Sequence, residues 1–85
     1  MSYTVLILRR AQKELADIPA KDYERVRNVI STLAQNPRPP GCLKLTARDG
    51  WRIRVGDYRV IYAIDDSQQV ATVLHVGHRR DVYAG

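Results

Sequence analysis

The sequence predicts an α+β fold of order β-α-α-β-β-β, with a helical hairpin packed on one face of a mainly antiparallel sheet. Three observations predict it. Residues 50–62 alternate apolar and basic side chains on two arms that meet at Gly56-Asp57, as in a β-hairpin with a two-residue turn. From Arg9 to Gln35 the apolar spacing becomes helical, with one break at Pro19. Short apolar, β-prone segments stand at residues 3–8 and 69–77. At 85 residues the chain makes one domain, spanning 1–85.

The elements follow in order. Tyr3, Thr4, Val5, Leu6, Ile7 and Leu8 form the first strand. In the first helix Ala11, Leu15 and Ile18 make the buried stripe, with Arg10, Lys13, Glu14 and Asp17 between them. The second helix runs from about residue 21 to residue 35. Its stripe is Tyr23, Val26, Ile30, Leu33 and Ala34, and Glu24, Arg25, Arg27, Asn28 and Ser31 take the other side. Asn36-Pro37-Arg38-Pro39-Pro40-Gly41 breaks regular structure and makes a stiff connector. Leu43 and Leu45 suit a short edge segment. After the hairpin, Asp65-Asp66-Ser67-Gln68 makes a second turn. The last strand, 69–77, carries Val70, Val73, Leu74 and Val76.

A two-residue turn fixes the hairpin register. It sets Val55 against Tyr58, Arg54 against Arg59, Ile53 against Val60 and Arg52 against Ile61. Paired residues share a face. Arg52, Arg54 and Arg59 therefore converge on one face, expected to stay open as a basic concave floor. Trp51, Ile53, Val55, Tyr58, Val60 and Tyr62 point to the core. Like charges set opposite one another cost stability, so Arg54 against Arg59 points to an anion between them.

Charge supports this reading. Fourteen Lys+Arg against nine Asp+Glu give +5, with pI ≈ 9.8. Arginine dominates, and its planar fork binds phosphate through two hydrogen bonds. The chain reads as a nucleic-acid or acidic-protein binder. A lone cysteine, Cys42, forms no internal disulfide, and with two histidines it offers too few ligands for zinc. No phosphate loop or cofactor motif is present, and the apolar runs are too short to span a bilayer. No cofactor, no metal and no membrane partner are expected, and the cytoplasm is the expected compartment.

His78, Arg79 and Tyr83 form a second constellation after the last strand. Arg79 shares strand parity with His75 and Val73, while His78 has the opposite parity unless the strand has ended. Tyr83 suits stacking on a base. His75, inside an apolar strand, reads as a half-buried residue with satisfied hydrogen bonds. Trp51 reads as a core anchor and Cys42 as an inert thiol.

The strings from Trp51 to Tyr62 and from Val76 to Tyr83 closely resemble the RelE branch of the RelE/ParE superfamily, the toxins of type II toxin–antitoxin pairs. The similarity covers nearly the whole chain. It implies a toxin that enters the ribosomal A site and cuts mRNA by metal-free attack of a ribose 2′-hydroxyl on the adjacent phosphate. It also implies a cognate RelB-like antitoxin as partner, with DNA contacted only through that antitoxin. By motif position Arg52, Arg54, Arg59, Arg79 and Tyr83 match catalytic positions, and Lys44, Arg48 and Arg80 are added as RNA contacts. Well-studied members carry lysines where this chain has Arg52 and Arg54. An arginine keeps its proton, so the proton acceptor is open between His78 and substrate-assisted transfer by the phosphate itself. A ParE-like gyrase inhibitor without nuclease activity is the alternative.

Overall fold

The computed structural model describes residues 2–78. The elements are β1 (Thr4–Ile7), α1 (Arg9–Ala16), α2 (Ala20–Thr32), β2 (Leu43–Lys44), β3 (Trp51–Val55), β4 (Tyr58–Asp65) and β5 (Val70–His78). The strands form one five-stranded sheet of order β1-β5-β4-β3-β2. β1 runs parallel to β5, and the other neighbours are antiparallel. The helical hairpin covers one face. Among the described residues no helix is long and apolar enough to cross a membrane.

The hairpin register is the expected one: Val55 pairs with Tyr58, Arg54 with Arg59 and Ile53 with Val60. Gly56 supplies the positive φ of 60° that the tight turn needs. Ile53, Val55, Val60 and Tyr62 then join Ala11, Leu15, Ile18, Val26, Ile30 and Leu33 in the core. The apolar stripes of α1 and α2 thus meet the apolar face of β3 and β4. Pro19, extended and fixed in φ, ends one helix and starts the other, its carbonyl accepting from Asp22 and Tyr23 N–H.

Three differences from the sequence reading have simple causes. The short edge segment expected at Leu43 and Leu45 forms over Leu43–Lys44 instead, a strand against Arg52 and Trp51 that is the fifth of the sheet. Helix α2 stops at Thr32 because Leu33, Ala34 and Gln35 donate to carbonyls three residues back, a tightened final turn. Strand β5 begins one residue later and reaches His78, because Gln69 takes a left-handed φ of 56° to close the β4–β5 turn.

A bulge shapes β5. Ile61 pairs with His75 but Tyr62 pairs with Val73, leaving Leu74 as the extra residue. Val73 and Val76 consequently both reach the core although they stand three positions apart. β1 ends opposite Val73, so the next edge of β5 lacks a strand neighbour. Glu14 of α1 fills that role, its carboxylate accepting Val76 N–H at 3.0 Å. The outer edge of β1 is itself blunted. Tyr3 N–H donates to Ala34 O at 2.7 Å, and the Gln12 side chain donates to Ile7 O at 2.8 Å.

Tyr62 ties the sheet to the connector. The ring is fully buried and its hydroxyl donates to Pro37 O at 2.8 Å. Burial pushes its phenol pKa well above the ordinary range. Tyr62→Phe leaves that carbonyl without its donor and is expected to cost about 1–3 kcal/mol. Chemical denaturation checks this: the midpoint should fall with an unchanged slope. An unchanged midpoint would show that the connector is held by other contacts.

Candidate functional site

The face of the sheet turned away from the helices carries the arginines. Arg54 and Arg59 are direct cross-strand partners, and Arg52 lies two residues from Arg54 on the same face. Arg54 is exposed, while Arg52 is half-buried. Arg59 sits on the central strand β4 between Arg54 and Gly77, with strand neighbours on both sides. Gly77 has no side chain to fill the space beside it. Arg59 is only 6% exposed, and it is the one charged residue in the buried set of the described residues. Ile61, two residues on and facing the same way, is 1% exposed.

The expected open floor is therefore corrected. Its rim, Arg54, is open, but its centre at Arg59 and Ile61 is covered. The residue pattern of one hairpin does not report that burial.

His78 is also corrected. The strand does not end before it, so its parity holds: His78 pairs with Tyr58 and shares the helix-side face. Its ring meets Tyr58 edge-on at 5.7 Å between centroids. It stands on the opposite face from Arg54 and Arg59 and does not join them. The parity assigned to Val73 and His75 fails as well, because the bulge at Leu74 puts Val73 on the helix side and His75 beside Ile61. Arg79, Arg80 and Tyr83 lie outside the described residues.

Lys44 pairs with Trp51 and so faces the helix side, away from the arginines. Arg48 is exposed in the loop between β2 and β3, which Leu45 N–H closes onto Gly50 O at 3.0 Å. Trp51 packs against the core as an anchor, but two cations also lie over its ring. The Arg38 guanidinium is 5.1 Å from the ring centroid and the Lys44 ammonium 5.5 Å.

His75 is half-buried and satisfied, as expected for a histidine inside an apolar strand. Its Nδ1 is 3.1 Å from Glu14 Oε2, and its Nε2 meets the Arg10 guanidinium. This fits a ring that donates from Nδ1 and accepts at Nε2, so both nitrogens are engaged. Arg10 and Glu14 were not singled out from the sequence. Their spacing of four residues on one helix flank is the only local sign that they act together.

Asp66, which the sequence marks only as a turn residue, gathers two partners. It accepts from Arg38 at 2.8 and 3.2 Å and from the Tyr3 hydroxyl at 2.5 Å. The Arg38 hydrogen bond, followed by that from Tyr3, lowers its carboxyl pKa to about 2. This pair fastens the proline-rich connector to the β4–β5 turn and holds Arg38 over Trp51.

Chemically, the arginine face can bind and neutralise a phosphate, but its guanidinium groups cannot accept a proton. Among the described residues no group of three or more His, Cys, Asp or Glu side chains could hold a metal ion.

Two helices over a mixed sheet, with Arg54 and Arg59 paired on its other face, define a small basic α+β protein. Residues 5–83 match the family described as "ParE toxin of type II toxin-antitoxin system, parDE". Toxin RelE of Mycobacterium tuberculosis is 34% identical over 95% of this chain and 86% of its own length. The toxin of the archaeal RelE–RelB complex from Pyrococcus horikoshii superposes with a TM-score of 0.80 at 31% identity, covering 95% of this chain and 99% of that one. The Mycobacterium tuberculosis RelBE2 complex gives a TM-score of 0.82 at 27% identity, covering 93% and 100%. The chain belongs to the RelE/ParE toxins of type II toxin–antitoxin systems.

The Arg38–Asp66 tether has a pH signature. The Asp66 carboxyl lies below its ordinary value of 3.8 in the folded chain, so its contribution is present above that value. It is lost as pH falls from there through about 2. Acid titration followed by Trp51 fluorescence should show a transition in that window. Asp66→Asn should remove it; a transition that persists in that variant would place its origin elsewhere.

Proposed function

We propose that the chain is a ribosome-dependent mRNA endoribonuclease, the RelE-type member of its family. The observation that carries this is the direct pairing of Arg54 with Arg59 across the hairpin, with Arg52 on the same face. Two guanidinium groups held side by side suit a phosphate whose charge grows in the transition state. The relatives named RelE favour this reading over gyrase inhibition. In it, Arg54 binds the scissile phosphate from the exposed rim and Arg59 supplies buried positive charge behind it. Arg52 extends the contact along the strand. The proton leaving the 2′-hydroxyl is not assigned to an arginine, and His78 faces the other way. In this reading the proton passes through the phosphate itself, and no metal is invoked.

Arg54→Ala should lower mRNA cleavage on ribosomes by about 10²–10³. Mapping of mRNA 5′ ends and circular dichroism check activity and folding together. A folded Arg54→Ala variant with full activity would falsify the assignment. The family description names ParE, so gyrase supercoiling belongs beside the cleavage assay. Inhibition of supercoiling without mRNA cleavage selects the gyrase reading.

The neutralising partner is a RelB-like antitoxin, as in the solved complexes of the Pyrococcus horikoshii and Mycobacterium tuberculosis relatives. A groove of about 370 Å³ lies between β1, α1 and α2, lined by Val5, Ile7, Leu15, Ile30 and Ala34 with Arg27 at its rim. We assign an amphipathic segment of the antitoxin to it, with a carboxylate beside Arg27. The blunted edge of β1 favours the groove over strand addition. Operator DNA is then reached through the antitoxin, and the complex acts in the cytoplasm. Arg27→Glu should weaken co-purification with the antitoxin, most visibly at low salt. Unchanged recovery at all salt concentrations would move the antitoxin to another surface.

A further inference from the structure

Charge is unevenly spread along the chain. Between residues 36 and 55 stand Arg38, Lys44, Arg48, Arg52 and Arg54, with Asp49 as the only acid. Most of the formal excess of +5 therefore belongs to the β2–β3 edge and the segments entering it. The edge strand β2 has two residues, so both faces of the sheet are reachable around it. Leu43 pairs with Arg52 and points to the arginine face, while Lys44 pairs with Trp51 and points to the helix side. Lys44 and Arg48 are exposed, and neither has an ion-pair partner among the described residues.

We propose that Lys44, Arg48 and the Arg38-covered Trp51 form a second RNA-backbone site, through which a single strand bound on the arginine face passes around the β2 edge. This deepens the RNA reading above and rests on it. The division of labour follows from the contacts. Arg38 is held by Asp66 and keeps the indole in place. Lys44 lies over the ring and has no ion pair among the described residues, so its ammonium can move to a phosphate. That uncovers π-surface at 5.5 Å for a base to replace it. Arg48 is carried on the tight loop that Gly50 allows. Gly50 has φ 136°, and a Cβ there would sit 3.3 Å from both the Leu45 side chain and Tyr62 O. Arg48 stands in the loop four residues after Lys44, at the same edge of the sheet. An acidic partner would suit the charges too, but it gains nothing from an aromatic ring set between two cations.

Trp51 is the only tryptophan of the chain, so its fluorescence reports on this site alone. The experiment titrates the full chain with a short single-stranded oligouridylate and reads both Trp51 fluorescence and anisotropy of the labelled RNA. Saturable binding with quenching of Trp51 is expected. Lys44→Ala and Arg48→Ala should each remove about one unit from the slope of log affinity against log salt. Lys44→Arg should restore the slope. Binding that leaves Trp51 unquenched and is unaffected by both substitutions overturns the proposal, as does a failure to bind RNA at low salt. The two readings stay separable. Quenching by RNA in a chain that cuts no mRNA on ribosomes defeats the nuclease and spares this site. Ribosomal cleavage that depends on Arg54 while RNA leaves Trp51 unquenched does the reverse.

Discussion

Register at the Gly56-Asp57 turn is the constraint on which the rest of the structure depends. A shift of one residue would turn every side chain of β3 to the other face. Arg52 and Arg54 would then point into the helices, and Ile53 and Val55 would be exposed. The core stripes of α1 and α2 would have nothing apolar to meet. The turn therefore sets both the hydrophobic core and the arginine face. Pairing Arg54 with Arg59 is a local electrostatic cost accepted by a fold that is stabilised on its other side by Val60, Tyr62 and Leu33.

The bulge at Leu74 is the second device. It lets the last strand place Val73 and Val76 in the core while His75 stands beside Ile61. It also frees the end of β5 to meet α1, where Glu14 takes Val76 N–H and His75 together. One carboxylate thus completes the sheet edge and orients an imidazole. Arg10 closes the cluster from the same helix flank. The cluster belongs to the architecture that holds β5 against α1, not to the arginine face.

At the opposite end, the connector between α2 and β2 is rigid for reasons beyond its prolines. Tyr62 holds Pro37 from below, and Asp66 holds Arg38 from the side. Arg38 in turn lies over Trp51. The chain is pinned just before it enters the edge strand, which gives Lys44 and Arg48 defined positions at the rim of the sheet. Electrostatics and packing are coupled here, since the same guanidinium serves an ion pair and an aromatic face.

Local sequence determined a great deal. Alternation on two arms and a Gly-Asp turn define the hairpin and its register, because a strand's side-chain period is two and a two-residue turn permits one pairing. Helical spacing defines the stripes Ala11-Leu15-Ile18 and Val26-Ile30-Leu33. The family was legible in the strings around Trp51 and Gly77. Tertiary structure alone decided the rest. The burial of Arg59 is a property of the folded chain that its place in the hairpin does not announce. The turning of His78 and Lys44 away from the arginines depends on where β5 ends and how β2 pairs. The union of Asp66 with Arg38 and Tyr3, and of Glu14 with His75, joins residues distant in sequence. None of these has a periodic signal, because each arises from which strands become neighbours and not from the order of residues along one strand.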